Sequence, residues 1–227
     1  MWQNKYLKAI TFSYDDGVEQ DERLVALLNK YHLKATFNVN TGFSSQTPPF
    51  VDCDVTVRHL DHEVMKRLFI GHEVAIHGHW HHDLTKLTSE EIVQEIVVCK
   101  NTITSIYGTE PVGMAYSYGA YNDFVISELK KLNVAYARTV HSTYSYEISE
   151  NLLEWNPTIH HADPRMDEIV ERFLSKDTTS GLLSIWGHSY EFDQYDTWNA
   201  FESLLKKLSG HSDIYYGTNQ EVLLKQK

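Results

Sequence analysis

Basic charge is scarce in this chain: 20 lysines and arginines stand against 31 aspartates and glutamates, a formal charge of −11. That excess argues against a nucleic-acid or anionic-membrane partner, both of which call for a basic face. Cysteine is scarcer still. Cys53 and Cys99 are the only two, which make neither a disulfide framework nor a cysteine metal cluster and read as buried or incidental thiols. No stretch approaches the roughly 18–20 consecutive apolar residues of a membrane span. No glycine-rich phosphate loop follows any predicted strand, which excludes a nucleotide cofactor of the dinucleotide or P-loop type. Internal repeats and low-complexity tracts are also lacking. The opening residues, MWQNKYLKAITF, lack the basic-then-apolar pattern of a secretory leader, so the expected location is cytoplasmic.

What remains is a globular chain of 227 residues, 42% apolar and 12% aromatic. That length suits one domain, residues 1–227, with a substantial core. Apolar runs at Lys8–Ser13, Lys34–Val39, Val74–Ile76, Val112–Tyr116, Ala135–Val140, Leu182–Ile185 and Ile214–Tyr216 read as strands. Helical stripes fall between them, near 20–31, 61–69, 88–107, 123–132, 166–174 and 196–208, with Asp196 as a cap of the last. Thr88-Ser-Glu-Glu91 and Thr218-Asn-Gln-Glu221 carry the capping-box pattern at the start of two helices. The stretch 141–164 reads as irregular or weakly β. Strand and helix alternate about seven times, which predicts a parallel sheet covered by helices, closed or nearly closed into a barrel.

In such barrels the chemistry sits on loops after the C-terminal ends of strands. Four polar clusters occupy those positions: Asp15-Asp16, His77–His81, Tyr116–Gly119 and His188. Four histidines crowd into six residues in the second cluster, and His77 and His81, four apart, would share one face of a helical turn. Neutral imidazole is the commonest protein ligand for zinc and its neighbours. His72-Glu73 does not extend this into a zinc-protease helix, because His77 follows His72 by five residues and falls out of phase. Taken singly, each cluster has a plainer reading: loop histidines with ordinary hydrogen bonds, and a solvated Asp-Gly turn. Taken together, Asp16, His77 and His81 form a facial set of two imidazoles and one carboxylate, with open positions for water and substrate. Asp15 is then free to take a proton and His188 to give one, and metal, base and acid together describe hydrolysis of an acyl bond.

Thr11-Phe-Ser-Tyr-Asp-Asp-Gly17 resembles the first motif of the polysaccharide deacetylases, the family 4 carbohydrate esterases, usually TFDDG. His77-Gly-His-Trp-His81, followed by Asp83-Leu84, is similar to their HxxxH metal motif, and Ala35-Thr-Phe37 is also family-like. Ala115-Tyr-Ser-Tyr118 stands where their third motif, RxPY, is expected, and Ile185-Trp-Gly-His188 where the late histidine motif is. The matches run in order from residue 9 to about residue 190. The resemblance implies a deformed (β/α)7 barrel, TIM-barrel-like, that removes acetyl groups from an N-acetylated carbohydrate such as N-acetylglucosamine. It implies Asp15 as general base, Asp16, His77 and His81 as ligands of zinc or a similar divalent metal, the Tyr118 backbone N–H in the oxyanion hole, and His188 as general acid.

Two departures stand out. Ala115 occupies the place of the family arginine that orients the base, and Ser117 replaces its proline. Arg138, at the end of the next strand, is the expected substitute. The family's aspartate-tryptophan fourth motif is not evident; Trp155, His160, His161 and Asp163 fall in about that region, as pocket residues or as ordinary loop residues. Tyr14, Trp80, Tyr118, Tyr121, Trp186 and Tyr190 end strands and are candidates for stacking on sugar rings or for core packing. His72, His79 and His82 receive no role. Two rival functions remain: hydrolysis of a small linear or cyclic amide, or of an O-acetyl ester, and an inactive barrel that only binds carbohydrate or metal.

Overall fold

The computed structural model describes residues 1–225. Its spine is β1 (Lys8–Asp16), nine residues of which all but Asp16 are buried. Alternation along the strand sends Ile10, Phe12 and Tyr14 outward into the apolar layer beneath the helices and Thr11, Ser13 and Asp15 to the opposite, inner face. On one side β1 pairs with β2 (Ala35–Val39), which puts Asp15 opposite Asn38. Beyond β2 lie β5 (Glu73–Ile76), β6 (Gly113–Ala115) and β7 (Tyr136–Arg138). On the other side come β9 (Gly181–Gly187) and the short β8 (Ile159–His160). Every pair in this sheet is parallel, and β10 (Ile214–Tyr216) joins the first residues of β1.

The two edges of the seven-strand path are bridged. Trp155 exchanges hydrogen bonds with Ala137 and Thr139 beside β7, at 3.1 and 2.9 Å, and Thr158 N–H donates to Ser184 of β9 at 3.1 Å. The result is the nearly closed barrel expected from the alternation, and the deformed (β/α)7 barrel that the resemblance implies. The segment 141–164 supplies this closure, which is why it carried no clear periodicity of its own.

The outer layer holds α1 (Asp21–Lys30), α2 (His62–Leu68), α3 (Ser89–Tyr107), α4 (Asp123–Lys131), α5 (Met166–Leu174) and α7 (Trp198–Leu208). Leu24, Leu28, Ile96, Leu129, Phe173 and Leu205 pack from these helices onto the sheet, all at most 1% exposed. Burying each such side chain contributes about 1.5–3 kcal/mol before entropy is counted. Both capping boxes are present, Thr88 with Glu91 on α3 and Thr218 with Glu221 on α8 (Asn219–Leu224).

One expectation fails, and two short elements carried no signal in the sequence. Asp196 is not a cap: it takes a left-handed φ of 50°, and Thr197 precedes α7 without a side-chain bond. The loop around Pro48-Pro49 leads into a small antiparallel hairpin, β3 (Phe50–Asp52) and β4 (Val55–Val57). A single turn, α6 (Glu191–Gln194), follows His188. No helix among the described residues is long and apolar enough to cross a membrane.

Candidate active site

The C-terminal ends of β1, β5 and β9 deliver Asp15 and Asp16, His77 and His188 to one cavity of about 720 Å³, and Arg138, at the end of β7, is buried behind Asp15. A second hollow, about 760 Å³, opens at the opposite end of the strands beside Lys34, Arg67 and Tyr107, away from all of these groups.

His77 and His81 do meet, but not on a helix. The chain after β5 is irregular, with positive φ at Gly78 (85°) and His81 (57°), and it folds back until the two Nε2 atoms lie 3.1 Å apart. Gly78 is needed here, since a Cβ would stand 2.8 Å from the Glu95 carboxylate. That carboxylate, buried on α3, accepts from the Trp80 N–H at 2.7 Å and holds the loop. Asp16 Oδ1 lies 3.5 Å from His77 Nε2 and 3.8 Å from His81 Nε2. Four donors around zinc at 2.0–2.1 Å sit roughly 3.3–3.4 Å from one another, so these separations fit a shared cation. The tautomer fits as well. His77 Nδ1–H donates to the Ala115 carbonyl at 2.9 Å, which leaves the Nε2 lone pair facing Asp16 and His81. Burial and the neighbouring His77 hold His81 down at about 4, so it is a neutral imidazole at neutral pH.

Asp15 is 3% exposed and receives the guanidinium of Arg138, whose Nη2 reaches both carboxylate oxygens, Oδ1 at 2.6 Å. Asn38 Nδ2 donates to the same Oδ1 at 2.8 Å. Burial pushes the Asp15 carboxyl up, but Arg138, with His77 and His188 behind it, outweighs burial and holds it at about 2. Arg138 pairs in register with Ala115 on the neighbouring strand. Paired residues of parallel strands point to the same face, so the cation reaches the base from one strand further along. Its guanidinium also stacks on Trp186, 4.5 Å from the ring centre.

His188 Nε2 lies 3.9 Å from Asp16 and 4.0 Å from Asp15. On its other side Glu191 Oε2 accepts the His188 backbone N–H at 2.8 Å and sits 3.4 Å from Nδ1. Burial lowers the His188 pKa, yet Glu191, Asp16 and Asp15 together raise it to about 9. Glu191 is also 3.2 Å from Nε2 of both His160 and His161. His160 Nδ1 accepts the Ala162 N–H at 3.2 Å, which places its proton on Nε2, facing Glu191. With its proton there, His160 cannot offer Nε2 as a ligand, so this trio does not present three metal donors.

Tyr118 takes a left-handed φ of 58° in the turn after β6, with its ring 4.5 Å from that of His81. Trp80, Tyr118, Trp186 and Tyr190 line the cavity with Phe43 and Phe50. Tyr14 does not: it is fully buried against Phe192, Phe201 and His161. Tyr121 stacks on Tyr116. Trp155 packs on Tyr136, and Asp163 pairs with Arg165 and Tyr144, so neither enters the cavity. Sequence reading missed Glu191, Asn38 and His59, which lines the cavity and contacts the Asp16 carbonyl at 3.3 Å. Only Glu191, three residues after His188 and first in a short helical turn, carried a local signal.

A model of the polysaccharide deacetylase family matches residues 3–137. Over 124 residues, 54% of this chain, the sequence is 28% identical to the peptidoglycan-N-acetylglucosamine deacetylase PgdA of Listeria monocytogenes serotype 1/2a. That stretch is 24% of the relative, so the chain spans about a quarter of the length of the curated relatives it matches. Among solved structures, the chitin deacetylase of the fungal pathogen Colletotrichum lindemuthianum superposes with a TM-score of 0.64 at 20% identity, over 98% of this chain and 91% of that one. The family 4 carbohydrate esterase of Streptomyces lividans in complex with acetate gives 0.61 at 18% identity, over 97% and 95%. At such identities these two likenesses speak for the fold.

Proposed function

The chain belongs to the polysaccharide deacetylase family, and we propose that it is a metal-dependent hydrolase removing N-acetyl groups from a sugar or polysaccharide of the N-acetylglucosamine type. The observation that carries this reading is the convergence on one cavity of Asp16, His77 and His81 with an arginine-clamped Asp15 on one side and His188 on the other. A divalent cation held by Asp16, His77 and His81, zinc by the choice of two imidazoles, would supply the charge that polarises the acyl carbonyl and acidifies water.

The chain's own groups then divide the proton traffic. Asp15 is kept ionised by Arg138, so it stands ready to accept a proton as water oxygen bonds to the acyl carbon. The backbone N–H of Tyr118 would stabilise the oxyanion that forms, a donor set in place before charge develops. His188, held protonated by the surrounding carboxylates and steadied by Glu191, gives its Nε2 proton to the sugar nitrogen as the C–N bond breaks. The products are acetate and a free amine. Aromatic walls from Trp80, Tyr118 and Tyr190 offer ring faces on which a sugar can stack.

The test is acetate release from N-acetylglucosamine oligomers with the zinc-loaded enzyme and again after chelation. Acetate that depends on metal is the expected result. A metal-loaded protein that releases none would overturn the substrate assignment in favour of small amides or O-acetyl esters. A protein that binds no metal would leave the non-catalytic binding barrel.

A further inference from the structure

A file of buried polar side chains runs down the barrel interior from Asp15 to the far end of the strands. Arg138 Nε donates to Ser13 Oγ at 3.1 Å. The same oxygen receives Asn219 Nδ2 at 3.1 Å and Asn38 Nδ2 at 3.0 Å. A hydroxyl has two acceptor lone pairs, which Arg138 and Asn219 can fill while Asn38 turns its shorter bond to Asp15 Oδ1 at 2.8 Å. Asn219 is the first residue of α8 and is itself held at both ends. Its Oδ1 accepts the Thr11 hydroxyl at 2.9 Å, and its backbone N–H donates to Thr36 Oγ1 at 2.8 Å. The Thr36 hydroxyl passes to Glu73 Oε2 at 2.8 Å, a carboxylate that also accepts the Tyr136 hydroxyl at 2.8 Å and the Gln220 N–H at 2.9 Å. Arg138, Ser13, Asn219, Thr11 and Thr36 are each at most 1% exposed. With water excluded, a guanidinium takes its orientation from the acceptors the protein gives it. Here these are Ser13 Oγ, the Thr139 carbonyl at 3.0 Å and Asp15.

We propose that Asn219 is a positioning residue for the base: through Ser13 it sets the orientation of Arg138, and through Arg138 that of Asp15. The C-terminal helix thereby tunes proton transfer at the opposite end of the barrel. This inference rests on Asp15 being the base.

Its test is a double-mutant cycle on acetate release with Asn219→Ala, Arg138→Ala and the double variant, with bound metal counted for each. Asn219→Ala should lower kcat roughly tenfold, with KM and metal content nearly unchanged, because small misplacement of a reacting group is costly. In the Arg138→Ala background the same change should add little. Additive losses, or an unchanged kcat in Asn219→Ala, would overturn the proposal. Thr11→Val, which removes only the hydroxyl holding Asn219, covers the case in which Asn219→Ala does not fold. It should lower kcat in the same direction by a smaller factor, and an unchanged kcat counts against the proposal. The Arg138 Nε–H resonance, identified by its loss in Arg138→Ala, gives a readout independent of turnover. It should shift in Asn219→Ala and in Thr11→Val, and an unmoved signal overturns the inference. A metal-loaded enzyme that releases no acetate while that signal shifts would overturn the proposed substrate and leave the relay standing.

Discussion

Two clusters of imidazole and carboxylate flank His188, and they are built from the same residue types to opposite ends. Asp16, His77 and His81 face the cavity; His160, His161 and Glu191 stand behind His188. In the first, a backbone carbonyl takes the Nδ1 proton of His77, so the nitrogen turned toward its neighbours carries a lone pair. In the second, a backbone N–H points at Nδ1 of His160, so the nitrogen turned toward Glu191 carries the proton. The first arrangement presents ligand atoms, and the second presents the N–H of His160. Composition does not separate them; the backbone group that meets each ring does.

Alanine at His77 draws that distinction most sharply. It should abolish stoichiometric metal and reduce acetate release to background, whereas His160→Ala should keep one metal per chain. Two ions on the wild type, one of them lost in His160→Ala, would show that the second cluster is a cation site after all. Asp15→Asn comes next. It keeps the shape beside Arg138 but cannot accept a proton, so metal should stay while kcat falls about 10²–10⁴-fold; a near-normal kcat in a metal-replete variant removes Asp15 from the role of base. Glu191→Gln should have the smallest effect. His188 remains in place without its anionic partner, and kcat should fall about 10–100-fold, a fraction of what full acid catalysis is worth. A loss of metal in Glu191→Gln would instead tie this carboxylate to the first cluster.

Much of the frame was legible because it is encoded locally. The apolar run Lys8–Ser13 and the capping residues Thr88 and Thr218 describe their own elements with no help from distant contacts. Asp15, Asp16, His77 and His188 stand out because polar residues at the ends of buried strands need partners. The helical spacing of His77 and His81 led to the right pair for the wrong reason: a loop, shaped by Gly78 and held by Glu95, brings them together. Glu95 lies among the apolar positions of α3, so nothing local announces that it anchors the loop from His77 to His81. Arg138 was legible as the substitute for the arginine missing at Ala115; strand order and register show how it reaches the same face.

The sequence by itself determined the alternation of strands and helices, the family, and the identity of the residues with chemistry to offer at the strand ends. Apart from Arg138 with Asp15, which was expected, only the tertiary structure decided which polar group meets which: Glu191 with His188, Asn219 with Ser13. The reason lies in range. Periodicity and capping are properties of neighbours along the chain, whereas the last and longest of these contacts spans 206 residues and exists only once the strands have closed into a ring.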